Sequence, residues 1–307
     1  MTTTTILNIV SDVKEFATVR TGADMRQLTT FKTGGVADIL AYPRSIDGAS
    51  ALVRYARDRS IPLTVIGGGS NLIVGDKGIR GIVVRMAEDD IGQGIITKRG
   101  EGIVYADAIT RKRDLIEFAV ANGFDGSQFM AGIPGCVGGG IHMNAGTFMG
   151  NYIDILDRVI YVDSNGEERD VSTTKDMAHY RGIDLADALI IYGAVFSFKG
   201  TQAPDILRKA VEDIVDDRKK KHPQDPSAGS VFKNPEGHFS WKLVNDAGLK
   251  GKRIGGAMVS DLHTNFIINA GGATSRNIRD LIECVRSEVQ KQFGIDLHTE
   301  VRFVGEF

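Results

Sequence analysis

Residues 131–146 read Ala-Gly-Ile-Pro-Gly-Cys-Val-Gly-Gly-Gly-Ile-His-Met-Asn-Ala-Gly, and this stretch decides the fold. So few side chains leave consecutive backbone N–H groups bare, which makes an anion-binding concavity suited to a diphosphate. A second bare stretch, Gly67-Gly68-Gly69-Ser70-Asn71, follows the run Pro62–Ile66, which reads as a buried strand. One such cluster alone is a tight turn. Two of them, one ending in Ser-Asn and one running into Met143-Asn144-Ala145-Gly146, point to a dinucleotide. The familiar nucleotide motifs are excluded. Gly67 and Gly69 begin a GxGxxG pattern, but its third position is Leu72, and no helix signal starts there. No P-loop, GxSxG or HExxH occurs, and the six histidines share no ligand spacing with Cys136 and Cys284, so no metal is expected. A non-Rossmann dinucleotide binder is what remains.

Working outward, regular elements alternate with the loops. Ser45 reads as the cap of a helix with the stripe Ala49, Leu52, Val53 and Ala56. Ile82–Val84 reads as a short strand, and Asp114–Ala121 as a helix closed by Asn122-Gly123. Val159–Val162, a turn at Asn165-Gly166, and Ala188–Phe198 read as strands of a mixed sheet. Asp205–Lys221 is an amphipathic helix ending in a basic run, and composition shifts at His222-Pro223. Beyond it come a strand at Phe266–Asn269, a helix at Ser275–Phe293 closed by Gly294, and a last strand at Leu297–Val304. The expected domains are 1–86, 87–204 and 205–307.

With 307 residues, 42% of them hydrophobic, the chain is long enough for more than one core. A net charge of -2 gives no field for nucleic acid or an anionic membrane, so a phosphate-bearing ligand must be held by local donors. The N-terminal segment lacks a basic n-region, no apolar run approaches about 18 residues, and the cysteines fit no CxxC pattern. A cytoplasmic enzyme is the expectation, with no nucleic-acid, membrane or protein partner inferred.

Six motifs in order then carry a resemblance. Thr29–Gly35 is close to NTFRIGG, and 67–71 is GGGSN. Residues 132–146 resemble GIPGTVGGAxxMNAG, and Ala228–Pro235 is AGSVFKNP. Arg253–Asn269 matches RIGGAxVSxxHxNFIxN, and Thr299–Gly305 is close to PEVRxxG. The chain resembles the UDP-N-acetylenolpyruvoylglucosamine reductase family, in its shorter branch without an inserted tyrosine loop. The resemblance implies an α+β protein. A vanillyl-alcohol-oxidase/PCMH-type FAD-binding domain of two α+β subdomains would precede a C-terminal α+β substrate-binding domain. It implies non-covalent FAD, NADPH as co-substrate and a small-molecule UDP-sugar. The implied activity is a UDP-N-acetylmuramate dehydrogenase, an oxidoreductase in peptidoglycan synthesis and so in cell wall biogenesis, cell shape and cell division. Two alternatives are an FAD-dependent oxidoreductase of the same fold acting on another small molecule, and a non-catalytic nucleotide-binding paralogue.

By the same resemblance, Ser230 is the proton donor, Glu300 stabilises an enolate-like intermediate, and Arg181 supplies a permanent positive charge. Taken alone, Ser230 is a turn serine, Glu300 a strand residue paired with Arg302, and Arg181 a surface ion pair. The implied flavin contacts are Gly67, Gly68, Gly69, Ser70, Asn71, Gly132, Ile133, Pro134, Gly135, Cys136, Gly138, Gly139, Asn144, Ala145 and Gly146. For the UDP-sugar the resemblance points to Lys233, Asn234, Lys250, His263 and Arg218. Four positions depart from the family pattern. Asp107 stands in a usual glycine turn and would repel a diphosphate. Cys136 stands for Thr or Ser, Ile183 for Ser, and His142 for an apolar or aromatic residue, where it reads as a packing substitution in preference to the covalent flavin attachment its chemistry also allows.

Overall fold

The computed structural model describes residues 2–87 and 93–307. The chain divides into two compact units, neither continuous in sequence. One comprises Met1–Thr21, Ile39–Gly68 and Gly81–Asp217, the other Gly22–Asp38, Gly69–Arg80 and Arg218–Phe307.

In the first unit Ser45 caps its helix as the sequence indicates: its Oγ accepts the Gly48 N–H at 3.0 Å. The helix Ile46–Asp58 buries Ala49, Leu52, Val53 and Ala56, the stripe read from the sequence. The strand Leu63–Ile66 runs parallel to Ile79–Arg85, with Leu63 opposite Ile82 and Ile66 opposite Arg85. It is therefore aimed, at its C-terminal end, at the first glycine loop. A five-stranded antiparallel sheet has the order Glu168–Ser172, Leu156–Asp163, Ala188–Ser197, Ile103–Asp107, Ile96–Gly100. Its inner face and the helix Lys112–Ala121 enclose a core that includes Val104, Leu115, Phe124, Tyr152, Val159 and Phe196. Tyr152 is fully buried against Phe129 and Phe196, and its hydroxyl has no hydrogen-bond partner among the described residues.

In the second unit a four-stranded sheet has the order Ser227–Ser230, Phe266–Asn269, Ala257–Val259, Arg253–Ile254. The helix Ser275–Phe293 covers it with Ile278, Leu281, Ile282, Val285 and Val289, all fully buried. Both helix ends are capped. Thr274 forms a capping box with Asn277, and the Asp76 carboxylate accepts the Ser275 and Arg276 N–H groups at 2.8 and 2.9 Å. Gly294 takes φ 71 at the other end.

The last strand differs from its expected extent. It covers only Arg302–Val304 and pairs in parallel with Leu72–Val74. Residues 298–301 instead bond to the segment after Ser230, so Glu300 shares no strand face with His298 and Arg302.

Candidate active site

The two glycine loops meet inside the first unit. A Cβ at Gly68 would lie 3.1 Å from the Gly135 Cα, and one at Gly67 would lie 3.8 Å from the Gly139 nitrogen. Where they meet there is a cavity of about 380 Å³ lined by Gly68, Arg85, Ala87, Arg111, Arg113, Ile133, Pro134, Gly135 and Cys136. The 132–136 loop is fixed from behind. Lys112, 5% exposed, donates its Nζ proton to the Pro134 carbonyl at 3.0 Å, and the Lys112 N–H donates to Gly135 O.

The glycines that follow have different reasons for being glycine. A Cβ at Gly138 would lie 2.8 Å from the Ala108 Cβ, and one at Gly140 would enter the Tyr152 ring. Packing explains both. Gly139, between them in the six-residue helix Val137–His142, has no atom of the other described residues, its own helix backbone and chain neighbours aside, within 4 Å of the position a Cβ would take. Asn144 spends its carboxamide on the protein, accepting the Ile153 N–H at 3.1 Å, and a Cβ at Gly146 would collide with the Asn151 side chain.

Gly69, Ser70 and Asn71 belong to the second unit. There the Asn71 side chain donates to the Glu300 carbonyl at 3.1 Å, while the Arg302 N–H donates to Asn71 O at 3.0 Å. The loop is thereby tied to the segment that carries the carboxylate.

Ser230 and Glu300 are brought onto adjoining segments. Gly229, at φ 75, opens an irregularity at the end of the strand Ser227–Ser230, whose last residue pairs with Phe266. The next residue, Val231, accepts the Glu300 N–H at 2.7 Å, and the Lys233 N–H donates to His298 O at 2.9 Å. Asn265, 5% exposed, grips the same segment on the other side. Its side chain both accepts from the Phe232 N–H and donates to Phe232 O, each at 2.9 Å, and its backbone carbonyl accepts from Val231 N–H at 2.8 Å. Sequence reasoning passed over Asn265. Its signals were its place as a fixed letter of the motif matched at Arg253–Asn269 and its position at the head of an apolar run, where a buried carboxamide needs partners.

Arg181 belongs to the first unit, at the tip of the hairpin formed by Ala178–His179 and Gly182–Ile183. It holds φ 63, a conformation that costs a non-glycine residue about 1–2 kcal/mol. Its Nη1 donates to Gly146 O at 3.3 Å.

The proposed sugar-nucleotide residues all lie in the second unit. Lys250 and Asn234 are exposed, though the Asn234 Oδ1 accepts the Ser240 N–H at 3.0 Å. Lys233 and Arg218 are half-buried. His263 is half-buried among His222, Trp241 and Phe266. Burial lowers its pKa, and its Nδ1 accepts the Asn265 N–H at 3.3 Å.

The departures acquire physical reasons. Asp107 ends the strand Ile103–Asp107, where its carboxylate accepts the Tyr105 hydroxyl at 2.7 Å and the Ile95 N–H at 3.1 Å. Its charge serves as a structural acceptor. Ile183 packs against the first unit's core, and Cys136 is buried in the cavity wall. His142 is exposed. Among the described residues no His/Cys/Asp/Glu group could hold a metal ion, and no helix is long and apolar enough to cross a membrane.

A flavin dinucleotide suits what is present. The cavity offers bare backbone and three permanent cations to a diphosphate, and the space over Gly139 is left open by the described residues.

Comparison with known proteins places the chain. The family model of an FAD binding domain matches residues 37–172, which makes this an FAD-binding oxidoreductase of α+β architecture. The model of the UDP-N-acetylenolpyruvoylglucosamine reductase C-terminal domain matches residues 221–304. The reductase of that name from Listeria monocytogenes is 37% identical over 290 residues, covering 94% of this chain and 95% of the relative. The one from Clostridium beijerinckii is 36% identical over 305 residues, 97% of each chain. The crystal structure of the UDP-N-acetylenolpyruvylglucosamine reductase from Thermus caldophilus superposes with a TM-score of 0.76 at 28% identity. It covers 94% of this chain and 98% of its own. The chain belongs to the UDP-N-acetylenolpyruvoylglucosamine reductase family.

Proposed function

We propose that the chain uses NADPH to reduce the enolpyruvyl ether of UDP-N-acetylglucosamine to UDP-N-acetylmuramate, a precursor step of peptidoglycan synthesis. In this reading 1–86 and 87–204 hold the flavin and 205–307 holds the sugar nucleotide. FAD, held by the two glycine loops, would supply the hydride transfer from NADPH to the enolpyruvyl methylene carbon. The electron pair then falls on the carbon beside the substrate carboxylate. Ser230 donates its hydroxyl proton to that carbon. A serine is a weak acid, but a carbanion is a strong base, so a held neutral hydroxyl suffices. Glu300 as the neutral acid, donating a hydrogen bond, and Arg181 as a permanent cation stabilise the charge that develops on the substrate carboxylate. Lys233, Asn234, Lys250, His263 and Arg218 hold the UDP-sugar.

The observation that carries the reading is the bond from the Glu300 N–H to Val231 O at 2.7 Å. It fixes the carboxylate-bearing residue one position from the serine, although the two are 70 residues apart in sequence. In the arginine's case the support is its strained φ, because such conformations persist where surrounding structure enforces them for function. The test is anaerobic. NADPH should bleach the flavin spectrum, and only the enolpyruvyl sugar nucleotide should restore it. Recovery with an unrelated hydroxylated substrate, or none with this one, would reject the assignment. A preparation that cannot be reconstituted with FAD would favour a non-catalytic paralogue.

A further inference from the structure

We propose that Arg85 binds the diphosphate of FAD and makes this site select a dinucleotide over FMN and riboflavin. The inference rests on the reading that the cavity between the two glycine loops is part of the flavin site. Arg85 ends the strand Ile79–Arg85, is 7% exposed and lines that cavity. Facing the same space are Gly68 and Gly135, which offer backbone without side chains, and two further arginines, Arg111 and Arg113, which are exposed. No acidic residue is among the described residues lining it, although Arg113 Nε lies 3.2 Å from the Asp114 carboxylate, which moderates its charge. Arg85 is thus the most buried of three permanent cations around one polar cavity.

Guanidinium groups bind phosphate oxygens through paired N–H donors, and such charge-assisted bonds gain strength where water is excluded. An isoalloxazine ring or a ribityl chain has no anion to meet them. A diphosphate has, and it is the part of FAD that riboflavin lacks altogether and FMN has only in half. The buried Lys112, through its bond to Pro134 O, keeps the loop opposite Arg85 from yielding when the anion enters.

The test measures flavin binding rather than turnover. The full-length protein, stripped of flavin, is titrated with FAD, FMN and riboflavin by fluorescence quenching. Arg85→Met should weaken FAD binding about 30-fold or more, FMN less, and riboflavin within threefold. Arg85→Lys should recover part of the loss, because it keeps the charge and loses the fork. Unchanged FAD affinity in Arg85→Met overturns the proposal, as does an equal loss for FAD and riboflavin, which would mean that Arg85 only supports the loop. Should Arg85→Met fail to fold, Arg111→Ala with Arg113→Ala decides, since both side chains are exposed. A selective loss for FAD of about threefold or more supports the charge-reading cavity, and no selective loss rejects it. A wild-type protein that binds none of the three flavins would instead refute the flavin site itself.

Discussion

Gly139 offers a perturbation with two opposite signs. In the interior of a helix, glycine is about 0.8–1 kcal/mol less favourable than alanine, and Gly→Ala stabilises by about 0.4–1 kcal/mol where the native conformation is compatible. Position 139 is helical, has no positive φ, and a Cβ there would touch none of the described residues outside its own helix backbone and chain neighbours within 4 Å. Gly139→Ala should therefore stabilise the flavin-free protein by about 0.5 kcal/mol, the lower end because the helix has only six residues. At this size that corresponds to a rise in Tm of about 1–2 °C. With FAD the sign reverses. A methyl group in occupied space costs about 1–3 kcal/mol, which lowers FAD affinity by about 5- to 150-fold. Ligand stabilisation grows as the logarithm of free ligand over Kd, so the gap between flavin-free and flavin-saturated melting temperatures should narrow at fixed FAD. Differential scanning fluorimetry with and without FAD reads both numbers. A variant whose flavin-free form is stabilised while its FAD shift equals that of the wild type would refute the claim that the cofactor lies against Gly139. A destabilised flavin-free form would refute the packing argument beneath it.

Four further outcomes are expected. Ser230→Ala should leave flavin reduction by NADPH intact and slow reduction of the enolpyruvyl substrate by about 10²-fold or more; equal losses in both half-reactions, measured by stopped flow, would contradict the assigned role. Arg181→Gly should relieve a strain of about 1 kcal/mol and raise the melting temperature while turnover collapses. Thermal melts and a coupled NADPH assay separate the two effects. Tyr152→Phe should be neutral or stabilising by up to about 1 kcal/mol, since it removes a buried hydroxyl without a hydrogen-bond partner among the described residues. Denaturant titration checks it, and a loss of more than about 1 kcal/mol would mean that the hydroxyl has a partner. His263 has a folded pKa held below its unfolded value by burial, so the unfolded chain binds the extra proton. Its contribution to stability is complete above about pH 6.5 and is lost as pH falls through the window down to the folded pKa. In urea melts between pH 7 and 5, His263→Phe should lose less stability than the wild type.

Elements set by local chemistry were legible in the sequence. The helix Ser275–Phe293 has its apolar stripe, its Thr274 cap and its Gly294 stop written within its own length, and it forms with those boundaries. Phe266–Asn269 likewise reads as a strand from its own residues. The last strand was overextended because its length is set by Leu72–Val74, a partner about 230 positions earlier whose pairing leaves no mark on either segment. The site follows the same division. Glycine clusters advertise themselves by composition, and so both loops were found. The buried Arg85 and Lys112 look like ordinary surface cations in sequence, and only the fold puts them beside Pro134 and Gly135. The sequence motif marks Asn71 within a glycine loop, and only the fold shows that its carboxamide donates to the Glu300 carbonyl.

The pairing of Arg302–Val304 with Leu72–Val74 also orders events during synthesis. The Gly75 and Lys77 N–H groups donate to the Val304 and Glu306 carbonyls, and the Glu306 N–H donates back to Gly78. On a ribosome, the stretch from Gly69 to Arg80 is therefore made early and must wait, its strand unpaired, until residues 302–306 have been translated. A chain lacking residues 302–306 would leave that waiting strand exposed as a template for aggregation.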